Sequence, residues 1–347
     1  MCPQPMRDVD FLALLVHRGR LAREQAQALL SELERGADLD QLLVKQVGWD
    51  AAEIERLRRT RVGEIPEIPG YEIRERLGSG GTANVFLARE KRTQRTFALK
   101  ILKSELSAHE RTRRAFIAEA RILERLSHPG LVRGFGVARA GEVFFSRLEY
   151  VDGATLLELL DRGERFSEEE ALRVVLEMAE VLRYLEGQGV VHRDVKPGNI
   201  MRAKDGRLAL IDLGFAAADA AEGSTLGTVA YLSPERARGG GSSDIRSDIY
   251  SLGISLFHLA VGRLPFQGSD DREVLRMQVM QSLSSPELKS RGFSPHFQYF
   301  VEKMVAKEKE HRYQGWAELV EDVRAQIAGR DDLDFTRGPG ERQDRPR

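Results

Sequence analysis

The chain has 347 residues, 41% of them hydrophobic and 31% charged, with a formal net charge of −1. It is long enough for more than one domain with a sizeable core, and its balanced charge gives no bulk pull toward nucleic acid or a membrane surface. A single cysteine, Cys2, excludes an internal disulfide framework and fits a reducing cytosol. The longest apolar runs fall well short of the roughly 20 residues that cross a bilayer, and no basic start leads into an apolar stretch, so a cytoplasmic protein is expected.

In chain order, residues 8 to 60 carry four short apolar-periodic segments poor in β-branched residues, which predicts small helices. "LLVHRGRLAREQAQALL" (14–30) and "LLVKQVGWDAAEIERLR" (42–58) resemble one another, each reading as helix, glycine turn, helix. The expectation is an all-α domain over 1–63 built from a duplicated helical hairpin, then a proline- and glycine-marked linker over 64–70. From Tyr71 the texture changes. Strand-like runs "YEIRERLG", "NVFLARE", "TFALKIL" and "EVFFSRLEYV" surround one helical stretch, "ERTRRAFIAEARILERL". Residues 154 to 329 read as mostly helical, with Ser167 an N-cap and Glu170 three residues on. The tail 330–347 is polar and charged, a composition expected to be disordered.

Four places carry chemistry. "LGSGGTANVFLA" (77–88) joins two strand-like runs, so its backbone N–H groups can lie over phosphates. It also reads as an ordinary glycine hairpin. Lys100 sits mid-strand between Leu99 and Ile101. It is either an outward, solvated lysine or a buried one that needs an anion and a carboxylate, which Glu119 on the following helix could supply. Asp212 ends the apolar run of "RLALIDLGFA", where it reads as a hard-cation ligand or a turn cap. "VVHRDVKPGNI" (190–200) packs a histidine, two cations, a carboxylate and an amide between β-branched residues. No core accepts that charge, so either the segment is a solvated loop or the charges face a ligand of opposite sign. Asn199 offers a second oxygen for Mg²⁺, and Asp194 is left to act as a base.

In this order the segments resemble the protein kinases, most of all the bacterial Hanks-type Ser/Thr kinases, over residues 71 to 329. "HRDVKPGN" resembles the catalytic loop, and "DLG" and "SPE" stand where the family usually has DFG and APE. "RSDIYSLGISLFHLAVGRLPF" is similar to the long central helix of the large lobe. The resemblance implies an α+β, two-lobed kinase fold after the all-α domain, with a β-rich N-lobe over 71–148 and a helical C-lobe over 152–329.

It also implies roles. Lys100 would hold the α- and β-phosphates of ATP, oriented by Glu119, and Asp194 would take the substrate hydroxyl proton. Asn199 and Asp212 would bind Mg²⁺, with Mn²⁺ a substitute, while Lys196 would neutralise the transferred phosphoryl group and mark Ser/Thr specificity. Leu77, Gly78, Ser79, Gly80 and Gly81 would cover the nucleotide. Val85, Ala98 and Met201 would pack on the adenine, the backbone of Glu149 and Val151 would bond its edge, and Leu148 would be the gatekeeper. His192, Leu213 and Leu123 would form a packed spine, and Arg312 would pair with Glu235. Arg193 would join a basic pocket for a phosphorylated activation segment, in which Ser224 and Thr225 are the candidate sites.

Ala83 replaces the third loop glycine, Leu213 the usual phenylalanine and Ser233 an alanine, and none of these removes a contact to phosphate, metal or nucleophile. A pseudokinase is opposed by the filled catalytic positions. A small-molecule kinase is opposed by Lys196, "SPE" and Thr228, which form a platform for protein substrates. Residues 8–60 also resemble the N-terminal helical repeats of type II secretion and pilus ATPases, some of which bind cyclic di-GMP. The R-L-G opening of the binding versions is replaced by Asp10, Phe11 and Leu12, and later by Asp38, Leu39 and Asp40. The expectation is therefore a protein-docking or autoregulatory module over 1–63 that does not bind the nucleotide, with Trp49 on the second hairpin presenting an apolar face to a partner or to the rest of the chain.

Overall fold

The computed structural model describes residues 8–17, 20–33, 35–50, 54, 66–214, 229–239, 243–283, 288 and 291–332. Ser224, Thr225, Thr228 and the tail beyond 332 lie outside the described residues. The chain divides into two compact units, Met1–Arg76 and Leu77–Arg347.

The first unit contains α1 (Asp8–His17), α2 (Arg23–Leu33) and α3 (Leu39–Leu42), which runs on as a π-helical turn over Leu43–Val47. Its core is leucine-rich: Leu12, Leu15, Leu29, Leu39 and Leu43 close around Phe11. Asp38 caps α3 by accepting from the Gln41 N–H at 3.0 Å, so this aspartate does local structural work. Trp49 packs partly against the same core. Among the described residues the exposed large apolar side chains of the unit are instead Val9 and Val44.

Strand β1 (Tyr71–Ser79) carries the chain into the second unit. There β2 (Ala83–Glu90), β3 (Thr96–Leu102), β4 (Gly134–Ala140) and β5 (Val143–Glu149) form an antiparallel sheet in the order β2-β3-β5-β4. Register decides which side chains share a face. Lys100 stands opposite Val85 on one side and Ser146 on the other, and Ala98 stands opposite Leu148. With a side-chain period of two, Val85, Ala98, Lys100 and Leu148 share one face.

After the short helix α4 (Ser104–Ser107), α5 (Glu110–Arg125) lays Phe116, Glu119, Ala120 and Leu123 against the sheet at helical i, i+3, i+4, i+7 spacing. One member of that stripe is a carboxylate. Burying it demands a cation, and the register of β3 supplies one.

The larger, mostly helical lobe begins with β6 (Gly153–Thr155), α6 (Leu156–Asp161) and α7 (Glu168–Gly187). Ser167 and Glu170 close a capping box at the start of α7. A small sheet that the helical reading of 154–329 overlooks follows, with β7 (Ile200–Ala203) between β6 and β8 (Leu208–Leu210). Runs of three or four residues are too short to show a periodicity.

Helix α8 (Pro234–Ala237) precedes α9 (Ile245–Val261), in which nearly every side chain from Ser247 on is buried, as befits the helix at the centre of a lobe. Helix α10 (Asp271–Met280) packs on α8, α11 (Pro295–Met304) on α9, and α12 (Trp316–Asp332) on α7. Among the described residues no helix is long and apolar enough to cross a membrane.

Candidate active site

Lys100 is 9% exposed, and its Nζ lies 2.6 Å from Glu119 Oε1 and 2.6 Å from Asp212 Oδ1. One ammonium therefore joins the sheet, α5 and the segment after β8. Burial works to lower the Lys100 pKa, but the two carboxylates overcome it and hold the amine protonated, well above its ordinary value. Burial and then the neighbouring Asp212 charge push Glu119 up to about 8, with Lys100 opposing them. Burial also works to raise Asp212, but Lys100 keeps it below the usual carboxylate range. Near neutral pH one ammonium is therefore shared by an ionised Asp212 and a Glu119 that burial keeps largely protonated, and a further cation at Asp212 would favour ionisation of both carboxylates.

The segment 190–200 meets this cluster through backbone contacts. Ile211 N donates to Asn199 O at 2.9 Å, and the β7–β8 register sets Ile200 opposite Leu210, so Asn199 and Asp212 are neighbours. Lys196 Nζ lies 2.8 Å from Asp194 Oδ2. Asn199 Nδ2 donates to Asp194 O at 2.8 Å and to Oδ2 at 2.9 Å. With its nitrogen committed to Asp194, the Asn199 oxygen points away from that aspartate as a hard ligand atom.

His192 is 1% exposed. Its Nδ1 accepts from Asp194 N at 3.2 Å, and its Nε2–H donates to the Asp212 carbonyl at 2.5 Å, which together select one neutral tautomer. Leu123 and Leu213 lie in one core with Leu148. Gly214 is required by space: a Cβ there would stand 2.5 Å from Asp194 Cβ and 2.6 Å from His192 O.

The glycine turn behaves differently. A Cβ on Gly78 or Gly81 would meet no described atom within 4 Å, and neither residue has positive φ. The fold alone does not require glycine at these places, and the open space leaves the backbone free for close approach by a ligand. Ser79 Oγ donates to Asn84 Oδ1 at 2.7 Å, and Gly80 N bonds Ala83 O at 2.8 Å, which shapes the turn. Leu77 is 39% exposed at its edge. Val85 and Met201 are partly buried against the main core, which also contains Val151. The Glu149 N–H donates to Arg133 O at 2.9 Å, which restricts that residue's backbone contribution toward a purine to its carbonyl. The Glu149 carboxylate turns to Arg207, 2.6 Å away.

A second cluster supports the site from below. Both nitrogens of the Arg312 fork lie 2.9 Å from the two Glu235 oxygens, and the same guanidinium donates to the carbonyls of Ala306, Arg246 and Lys307. Burial works to raise the Glu235 pKa, yet Arg312 holds it down to about 2.

Three residues here escaped the sequence reading. Asp248 on α9 accepts from the N–H groups of His192 and Arg193, both at 2.8 Å, and fixes the start of the 190–200 segment. Arg193 adopts φ 71 there, and its buried Nε has no partner among the described residues. Arg236 donates to the Arg193 carbonyl, and burial followed by the Arg193 charge lowers its pKa. The third is Gln278, the buried residue of α10. Asp248 falls inside the quoted "RSDIYSLG" run, where a carboxylate in an apolar helix was the available signal.

Residues 71–323 match the protein kinase domain family. The chain is 35% identical over 264 residues to the serine/threonine-protein kinase PknB of Mycobacterium tuberculosis, covering 73% of this chain and 42% of PknB. It is 33% identical over 269 residues to the serine/threonine-protein kinase PrkC of Bacillus subtilis, covering 76% of this chain and 41% of PrkC. The chain thus spans about two fifths of the length of the curated relatives it matches.

Proposed function

The chain belongs to the protein kinase family, and from that premise we propose that it transfers the γ-phosphoryl group of Mg-ATP to serine or threonine hydroxyls of proteins. The observation that carries this reading is the Lys100 ammonium, 2.6 Å from Glu119 and 2.6 Å from Asp212. It is joined through Asn199 to an Asp194 that Lys196 contacts. The acceptor oxygen attacks the γ-phosphorus, its proton passes to the Asp194 carboxylate, and the bond to the ADP oxygen breaks.

Lys100 positions the α- and β-phosphates, and Lys196 offsets charge gathering on the transferred group. The face carrying Val85, Ala98 and Leu148 packs on the adenine, with the backbone of Glu149 and Val151 along its edge. The ionised, partly exposed Asp212 carboxylate and the Asn199 amide oxygen fit Mg²⁺, which takes few protein ligands when phosphates supply the rest. When bound, the ion neutralises phosphate charge. Mn²⁺ fits the same hard oxygen donors.

The basic Arg193 and Arg236, one with an orphaned buried nitrogen, support a site for a phosphate on the activation segment. Autophosphorylation at Thr225, with Ser224 as the second choice, would supply it. Mass spectrometry of fully active enzyme with both residues unmodified would reject that part. For the first unit we keep the docking role, presented through Val9 and Val44 rather than Trp49. Calorimetry showing micromolar binding of cyclic di-GMP to the full chain would overturn it.

The transfer reading is tested by incubating the chain with ATP, Mg²⁺ and a generic protein substrate. Phosphoserine or phosphothreonine on the substrate is expected. Nucleotide binding without transfer would indicate a pseudokinase, and transfer only to small hydroxyl compounds would indicate the other rival.

A further inference from the structure

Helix α10 is half-buried along most of its length, with Val274 and Met277 packed on the main core, yet its one fully buried side chain is an amide: Gln278 is 0% exposed. If packing alone were needed there, leucine or methionine would fill the space without desolvating two polar groups. The amide is satisfied at both ends. Its Nε2 donates to Ala230 O at 2.6 Å and lies 3.5 Å from Val229 O, and its Oε1 accepts from Tyr250 OH at 2.5 Å. That hydroxyl in turn accepts from Lys307 Nζ at 3.0 Å, and Lys307 also donates to the Gln278 carbonyl at 2.8 Å. The donors run one way, from Lys307 through Tyr250 and Gln278 to the Ala230 carbonyl, so the amide cannot flip without losing both contacts.

Residues 229–232 lead directly into Ser233, Pro234 and Glu235 and lie beside the catalytic segment, because Arg236 reaches the Arg193 carbonyl. Helix α9 holds the same stretch from another side. Ser251 Oγ donates to Tyr231 O at 2.8 Å, and Tyr231 OH lies 2.8 Å from His258 Nδ1. Burial lowers the His258 pKa to about 4, so near neutral pH the uncharged imidazole shares a hydrogen bond with the tyrosine hydroxyl. The stretch is thus pinned from α9 at Tyr231 and from α10 at Ala230.

We propose that Gln278 is a positioning residue that sets the backbone of 229–231 for the incoming protein substrate, and so governs substrate affinity without touching the reacting atoms. The proposal rests on the protein-kinase reading above. Losing the amide removes a buried hydrogen bond of the 229–231 backbone while the nucleotide side stays intact.

Two variants and two readouts test it. Gln278→Leu should raise the KM for a protein substrate about tenfold, the effect of one lost hydrogen bond. The kcat and the KM for ATP should stay within about twofold. Amide hydrogen exchange in a peptide covering 229–236 should speed up about tenfold. Tyr250→Phe, which keeps the ring and removes only the relay's hydroxyl, should shift both readouts the same way by about threefold. Unchanged protein-substrate KM and unchanged exchange in either folded variant would overturn the proposal, as would a loss of kcat with both KM values unchanged. If the wild-type chain transfers no phosphate, the kinase reading fails, and the exchange rates alone decide whether Gln278 anchors the segment.

Discussion

Two buried charge clusters in the second unit look alike in composition and differ in closure. At Glu235 and Arg312 one carboxylate meets one guanidinium, both oxygens are taken, and carbonyl groups accept the remaining donors. At Lys100 two carboxylates share one ammonium, and Asp212 keeps 37% of its side chain exposed against 0% for Arg312. The pKa directions record the difference: Glu235 is held down to about 2, while Glu119 is pushed up to about 8. A saturated pair acts as a structural rivet. A cluster with two carboxylates for one ammonium, one pushed up in pKa and the other partly exposed, is one that a bound cation would complete, the pattern expected of a functional site.

The largest expected effect breaks the closed cluster. Arg312→Met strands the Glu235 carboxylate and should cost about 3–5 kcal/mol in urea unfolding, while the folded fraction still binds ATP. Acid should act on the same pair. The folded pKa of Glu235 lies below its ordinary value, so its stabilisation is fully present above about 4.5 and is lost as pH falls toward about 2. The loss amounts to about 3 kcal/mol, and an acid unfolding curve of Glu235→Gln should lack that part of the descent.

The open cluster should respond in rate rather than in fold. Lys100→Met is expected to cut turnover about a hundredfold by loosening the phosphates, with a smaller stability loss than Arg312→Met because Asp212 can rehydrate. Glu119→Gln leaves Lys100 its bond to Asp212 and should cost the least, about tenfold in kcat/KM. If Lys100→Met unfolded the chain while Arg312→Met only slowed it, the two assignments would be exchanged.

The open cluster was also the more legible in sequence. Lysine in an apolar strand, a carboxylate in an apolar helix stripe and an aspartate after a buried run are each costly to bury, and such costs are visible one residue at a time. The lobes were legible too, because a strand-rich stretch followed by long helical periodicity needs no tertiary knowledge. Gln278 and Arg236 were not, since an amide or arginine on a charged helix looks solvated until the fold supplies a carbonyl beside it. Trp49 misled for the same reason: a tryptophan after a glycine turn gives no sign of whether it faces its own core or a partner. The strands β6 to β8 and the π turn after α3 arise from tertiary pairing and local register, for which the residues carry no period.

The central claim is that Asp194 is the base of a phosphoryl transfer to protein hydroxyls, and its most direct test is a rate comparison. Transfer of labelled γ-phosphate from Mg-ATP to a protein substrate should be measured for the wild-type chain and for Asp194→Asn, with thermal midpoints recorded for both. Asparagine keeps the shape and can still face Lys196 and Asn199, so the midpoints should agree while turnover falls by about 10²–10⁴-fold. Equal turnover in the two proteins would contradict the account.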